Sequence, residues 1–307
     1  MLRLLEPRFP WLSLKHPLVI HESNRINHEL PKLIRKLTDF WTMLGYAAML
    51  HGLIFVLSLT IPQHNFVGLS SLFIPFLSPF GTPIAAGMLH SILYWLMLIG
   101  VCNYTVFLVG TDVQSNAWVI LRTTPFPTTY ILASKLVAVF YTWSKVLRSL
   151  LIVRLVILIV IPLGLLLERG REGGALVSFN LIGAGVFLAQ PVVDALLIAS
   201  LSTVAALLIP VAPWSKAAAY GLIAVVYGGL GLLGSLWLIF KSPMGTLGGL
   251  MAPLSHWEPL AATVIKPLST NEFVQRTVAS LVIYLVLPLV LSAISLCVAQ
   301  RLSQRRN

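Results

Sequence analysis

The sequence predicts an all-α integral membrane protein with six transmembrane helices of roughly 20 residues each, and three observations predict it. Hydrophobic residues make up 57% of the chain and charged residues 10%, against roughly 45–50% and 25% in ordinary soluble domains, which excludes a water-soluble globule. The apolar residues fall in long blocks rich in Leu, Val, Ile and Gly. They lack the alternating segments of roughly ten residues that a membrane β-barrel shows, so the spans are helical. Charged residues gather between the blocks and at the two ends of the chain.

The formal charge of +11 does not point to nucleic acid. The basic residues sit at span ends and in the tails, which is the pattern that orients a protein in the lipid bilayer. Cys102 and Cys297 both fall inside apolar runs and read as small core residues, neither a disulfide nor a metal site. The stretch Met1 to Pro17 is broken by charge and proline and has no apolar h-region, so the first span is expected to direct insertion itself.

Residues 1–39 form a basic cytoplasmic tail. From Leu18 to Phe40 apolar residues recur at helical spacing (Ile26, Leu30, Leu33, Leu37, Phe40) with charges between them, which predicts an N-terminal amphipathic helix along the membrane face. The six-helix domain, residues 40–299, follows. Its spans are expected at about 40–61, 88–110, 149–167, 175–210, 217–240 and 273–299. Between the first two lies an apolar loop, Pro62 to Gly87, without Lys or Arg and expected in the far interface. Arg154, near the start of the third span, is expected to snorkel to the basic side. The fourth block contains Pro191 and Asp194 and predicts a kink or a preceding interfacial segment. Gly228, Gly229, Gly231 and Gly234 in the fifth predict close helix contact. Lys241 to Glu272, with Pro253, Pro259 and Pro267, is too short and too polar for two more spans and reads as a re-entrant or interfacial hairpin. A basic tail, residues 300–307, ends the chain.

Orientation follows from counting Lys and Arg. One side collects seven in the first tail, four in the stretch Asp112–Arg148 (Arg122, Lys135, Lys145, Arg148), Lys216, and Arg301, Arg305 and Arg306. The other collects Arg169, Arg171, Lys241, Lys266 and Arg276, offset by Glu168, Glu172, Glu258 and Glu272. Both termini are therefore expected on the cytoplasmic side of the cell membrane.

Enzyme chemistry finds little support. There is no GxxxxGKS or GxxxxGKT phosphate loop, so any ATP hydrolysis belongs to another chain and no cofactor is expected in this one. HExxH and GxSxG are absent. His16, His21 and His28 in the basic tail could be metal ligands but read as headgroup-facing, so no metal site is expected. Asp194 is the one acidic residue placed within a span. An intramembrane carboxylate is costly and marks a proton or substrate site by default, with a helix–helix hydrogen bond beside the proline as the alternative. Asp112, at a span end, is expected to face headgroups or to cap a helix. Ser200, Ser202 and Thr203 read as helix-packing residues.

The cytoplasmic stretch carries a resemblance. Trp118, Ile120-Leu121-Arg122-Thr123-Thr124-Pro125, Ile131 and Lys135-Leu136 resemble the segment of ABC-2 type transporter permeases in which a Leu-Leu-x-Thr-Pro piece precedes a Gly-Lys-Leu-Leu piece. Ser134 stands where the family has glycine, and of its acidic lead-in only Asp112 remains. His16-Pro17-Leu18-Val19 with Glu22 is similar to the Asn-Pro-x-x-x-x-Glu start of such permeases. The resemblance implies a cytoplasmic coupling helix between the second and third spans. Trp118, Leu121, Arg122, Thr123, Thr124, Pro125 and Lys135 would then serve coupling to a separate cytosolic ATP-binding subunit, in a homodimer or a heterodimer with a second permease. A helix stopped by Pro125 and Pro127 suits a lever, and Trp118, Ile120, Leu121 and Phe126 suit a partner groove. The expected function is that of an exporter's membrane subunit. A non-transporting membrane scaffold and a proton- or ion-coupled carrier using Asp194 stay open as alternatives.

Overall fold

A computed structural model describes residues 17–29, 81–115, 117–123, 127–172, 178–179, 181–209, 211–239, 264–265, 274, 277–279 and 281–305. The expected first span (40–61), most of the loop after it and nearly all of Lys241–Glu272 lie outside these. The described residues form an all-helical body: α1 (Pro17–Glu29), α2 (Gly81–Gln114), α3 (Ala117–Thr123), α4 (Thr128–Glu172), α5 (Leu181–Leu208), α6 (Ala212–Ile239) and α7 (Leu287–Arg305), the last entered through a π-helical turn, Val282–Val286. The one sheet among them is a two-residue antiparallel ladder that pairs β1 (Ser178–Phe179) with β2 (Val264–Ile265). It ties the connection after α4 to the segment expected as a hairpin.

Three helical stretches, His90–Gln114, Leu181–Leu208 and Thr277–Arg305, are long and apolar enough to cross a membrane. Together they make the chain a multi-pass membrane protein. Their burial orders them. The apolar window of α5 is 78% buried inside the molecule, that of α2 61% and that of the last helix 11%, so α5 is the central post and α7 an outer one. Two hydroxyls inside α5 are satisfied locally: Ser200 Oγ donates to Leu197 O and Thr203 Oγ1 to Ala199 O, both at 2.8 Å, as serine and threonine do in an apolar helix.

Two expectations about helix limits change. α2 starts at Gly81, ahead of Met88. α4 is one helix of 45 residues, beginning at Thr128 where the apolar span was expected only from Ser149. At about 1.5 Å per residue it is roughly 68 Å long, well beyond a bilayer of about 40–45 Å with its headgroups. The polar stretch before Ser149 does not interrupt the helix, because its most buried charge, Lys135 at 1% exposure, finds acidic partners on other helices.

Within this chain the expected close contact is not seen at Gly228 or Gly229. A Cβ on Gly228 or Gly229 of α6 would meet nothing within 4 Å, whereas one on Gly100 of α2 would fall 2.0 Å from Trp143 Cζ2 of α4. Close approach thus belongs to the α2–α4 pair, where Trp143 lies flat in a core with Val101, Val139, Val146 and Leu150. Gly100→Ala should force the indole out of place and destabilise the protein by roughly 1–3 kcal/mol. Unfolding titrations in mixed micelles would read this, and Trp143→Leu in the same chain should recover most of the loss.

Candidate functional site

Among the described residues two polar clusters interrupt the apolar interior, and α4 contributes a cation to each. Lys135 and Arg154 are separated by about 28 Å along the helix axis, close to the thickness of a hydrocarbon core.

The first cluster lies where α1, α2 and α4 meet. Lys135 Nζ donates to Glu22 Oε1 at 2.6 Å and to Asp112 Oδ2. Arg25 Nη1 donates to Asp112 Oδ1 and stands 3.8 Å from Glu22 Oε2, while Arg25 Nη2 donates to Thr111 Oγ1. Two acids and two bases cancel. The side chains of Lys135, Glu22 and Asp112 are at most 5% exposed, and that of Arg25 is 28% exposed. Local sequence dictates the donors: α1 opens at Pro17, a residue suited to a first helical position, and Val19, Glu22, Ser23 and Ile26 make one buried face. Asp112 is therefore a buried ion-pair partner, correcting the expectation that it faces headgroups. No cap is needed there, because α2 continues to Gln114.

α3 sits beside this cluster, in the turn from α2 to α4. Trp118 is 2% exposed and packs with Val109, Ile131, Leu132, Leu207 and Ala299, with Leu121 partly buried against them. Of the residues that the resemblance singles out, Trp118 and Leu121 thus face the body and Lys135 holds the ion cluster. Thr123 is exposed, its Oγ1 bonded to Ile120 O at 2.7 Å. The side chain of Arg122, and Thr124, Pro125 and Phe126, lie outside the described residues. Ser134 is buried and donates to Ile131 O at 2.8 Å. The outward side of α3 carries Val119 and Ile120, 55% and 69% exposed.

The second cluster lies deep in the body. Arg154 is wholly buried, correcting the expectation that it snorkels: its position on α4 points it inward at α2 and α5. Arg154 Nε donates to His90 Nε2 at 2.9 Å, Nη1 donates to Phe187 O and stands 3.3 Å from Gln190 Oε1, and the guanidinium lies 4.3 Å over the Phe187 ring. Proline explains the site. Pro191 has no N–H, so the carbonyl four residues back, that of Phe187, loses its helical donor. Arg154 supplies the missing one. Sequence reasoning placed a kink at Pro191 and a cation at residue 154 without joining them; the freed carbonyl at 187 was the signal.

One turn along α5, Asp194 is 2% exposed. Its carboxylate accepts from Tyr94 Oη and, at 2.8 Å, from Tyr227 Oη. Asp194 lies near the middle of α5, roughly 20 Å along the axis from either end. A cavity of about 340 Å³ opens beside it between α2, α5, α6 and the turn before α7.

Each cluster yields a test. Lys135→Met leaves Glu22 and Asp112 with Arg25 alone, one buried negative charge uncompensated, and should cost about 3–5 kcal/mol, whereas adding Glu22→Gln should return part of that loss. Arg154→Met should destabilise by about 1–3 kcal/mol through the orphaned Phe187 carbonyl. Pro191→Ala restores the helical donor, so the Arg154→Met/Pro191→Ala chain should be more stable than Arg154→Met alone in the same unfolding titration. No protein-family model matches the chain, and neither a curated protein nor a solved structure does.

Proposed function

We propose that this chain is the membrane permease subunit of an ABC-2-like exporter, a six-span protein with both termini in the cytoplasm that pairs as a homodimer or heterodimer. α3 would be the coupling helix to a separate cytosolic ATPase. The observation that carries the reading is the double-sided character of α3. Its outward side offers Val119 and Ile120, two large apolar residues on a seven-residue helix. Its inward side is anchored by Trp118 in the same core as α2, α4, α5 and α7. A push on such a helix is delivered to the bundle rather than absorbed in a loop.

The ion cluster supports the same reading. It fastens α1 to the two long helices that α3 connects, so the N-terminal helix and the coupling hairpin move together. The basic stretch and the basic tails belong on the cytoplasmic side by the positive-inside rule, which puts α3 within reach of a soluble ATPase. A second reading, an ion-coupled carrier, has one observation in its favour: the buried carboxylate of Asp194 midway along a span.

Ile120→Asp introduces a charge on an exposed site without disturbing the core. It should abolish co-purification with an ATPase subunit encoded next to this chain and lower ATP-dependent export by at least about tenfold. Retained co-purification and export would remove the coupling role. Stable association without any response to ATP would favour the scaffold.

A further inference from the structure

The cavity beside Asp194 has a chemistry of its own. Its walls are mostly apolar, but five aromatic side chains converge on it: Tyr94, Trp95, Tyr220, Tyr227 and Tyr284. Among the described lining residues the only charged group is the carboxylate of Asp194. Arg154, its Cζ 5.6 Å from the Tyr94 ring, is not among the described lining residues, although its charge acts on Asp194 through space. Its bonds go to neutral acceptors on His90, Phe187 and Gln190. Asp194 is held instead by two phenols. With both hydroxyl protons directed at the carboxylate, the phenol oxygens of Tyr94 and Tyr227 are left electron-rich, while His90 stacks on the Tyr94 ring and Arg154 lies over it.

From this geometry we infer that the cavity binds a hydrophobic organic cation, an aryl-substituted ammonium or phosphonium of drug size. Each attribute of the ligand answers an observed feature. Its positive charge is attracted by aromatic faces and by one carboxylate in a low-dielectric wall. Its apolar substituents match the aliphatic lining from Leu98, Ile198 and Ile223. Its size fits a volume of about 340 Å³, within the usual range for small-molecule sites. Depth excludes a lipid headgroup, because Asp194 is roughly 20 Å from either end of α5. The inference deepens the permease reading by naming a cargo class, and it rests on that reading only for the direction of transport.

Binding can be tested on the purified chain in detergent, without ATP or partner, by equilibrium dialysis of tritiated tetraphenylphosphonium. Saturable binding is expected, and tetraphenylborate, of the same shape and opposite charge, should not compete. Asp194→Asn should weaken binding by at least about tenfold. Gly228→Leu should do the same by occupying space, since Gly228 lines the cavity and a Cβ there meets nothing within 4 Å. That second variant keeps the test decisive if Asp194→Asn fails to fold. Absence of saturable binding, competition by tetraphenylborate equal to that of the unlabelled cation, or wild-type affinity in Gly228→Leu would each overturn the inference. None of these outcomes bears on ATPase coupling, which the Ile120→Asp chain reads separately.

Discussion

The bond from Arg154 to the carbonyl of Phe187 is the constraint around which the interior is arranged. A full positive charge within a membrane-spanning bundle is tolerated only where polar groups surround it, and a proline in a buried helix is tolerated only where something else satisfies the carbonyl it frees. Here each cost offsets the other. The guanidinium needs acceptors and Pro191 exposes one. The pairing fixes the rotation of α4 against α5 and brings His90 of α2 into the same layer. Once those three helices are set, Tyr94 and Asp194 fall together in the next layer, and the cavity follows from their position.

The ion cluster of α1, α2 and α4 works by a different balance. Its four charges cancel, so the desolvation cost is met by mutual attraction, and the gain lies in specificity of docking more than in stability. α1 has a modest apolar face, Val19 and Ile26, that could slide along α4. The bonds from Glu22 and Arg25 to Lys135 and Asp112 permit one register.

Much of this was legible in the chain and some was not. Block length and composition identify α2, α5 and α7 as membrane helices, and an acidic residue inside an apolar block singles out Asp194 without any structure. The amphipathic helix expected from Leu18 to Phe40 is described only as far as Glu29, and there Ile26 packs into the core of the bundle. What periodicity cannot supply is which distant residues meet. Asp112 and Arg25 are 87 residues apart in sequence, so Asp112 looked like a headgroup residue. Arg154 looked like a snorkelling one, because its helix was expected to begin only a few residues earlier. The misreading of Arg154 comes from reading a polar stretch as a break in the helix. Polar composition breaks a helix only when the side chains have water as their best partner, and Lys135 has Glu22 and Asp112.

The unbroken length of α4 has a mechanical meaning. Its two cations are fixed points, one in the ion cluster near α3 and one in the proline-freed pocket, about 28 Å apart on a single rod. A tilt of about 10° pivoted at Lys135 would sweep the backbone at Arg154 sideways by roughly 5 Å, one helical turn's height. That is enough to pull the guanidinium off the Phe187 carbonyl and loosen the layer that holds Tyr94 in place. Disturbance at α3, which packs through Trp118 on Ile131 and Leu132 of α4, and the shape of the cavity are thereby joined by one stiff element.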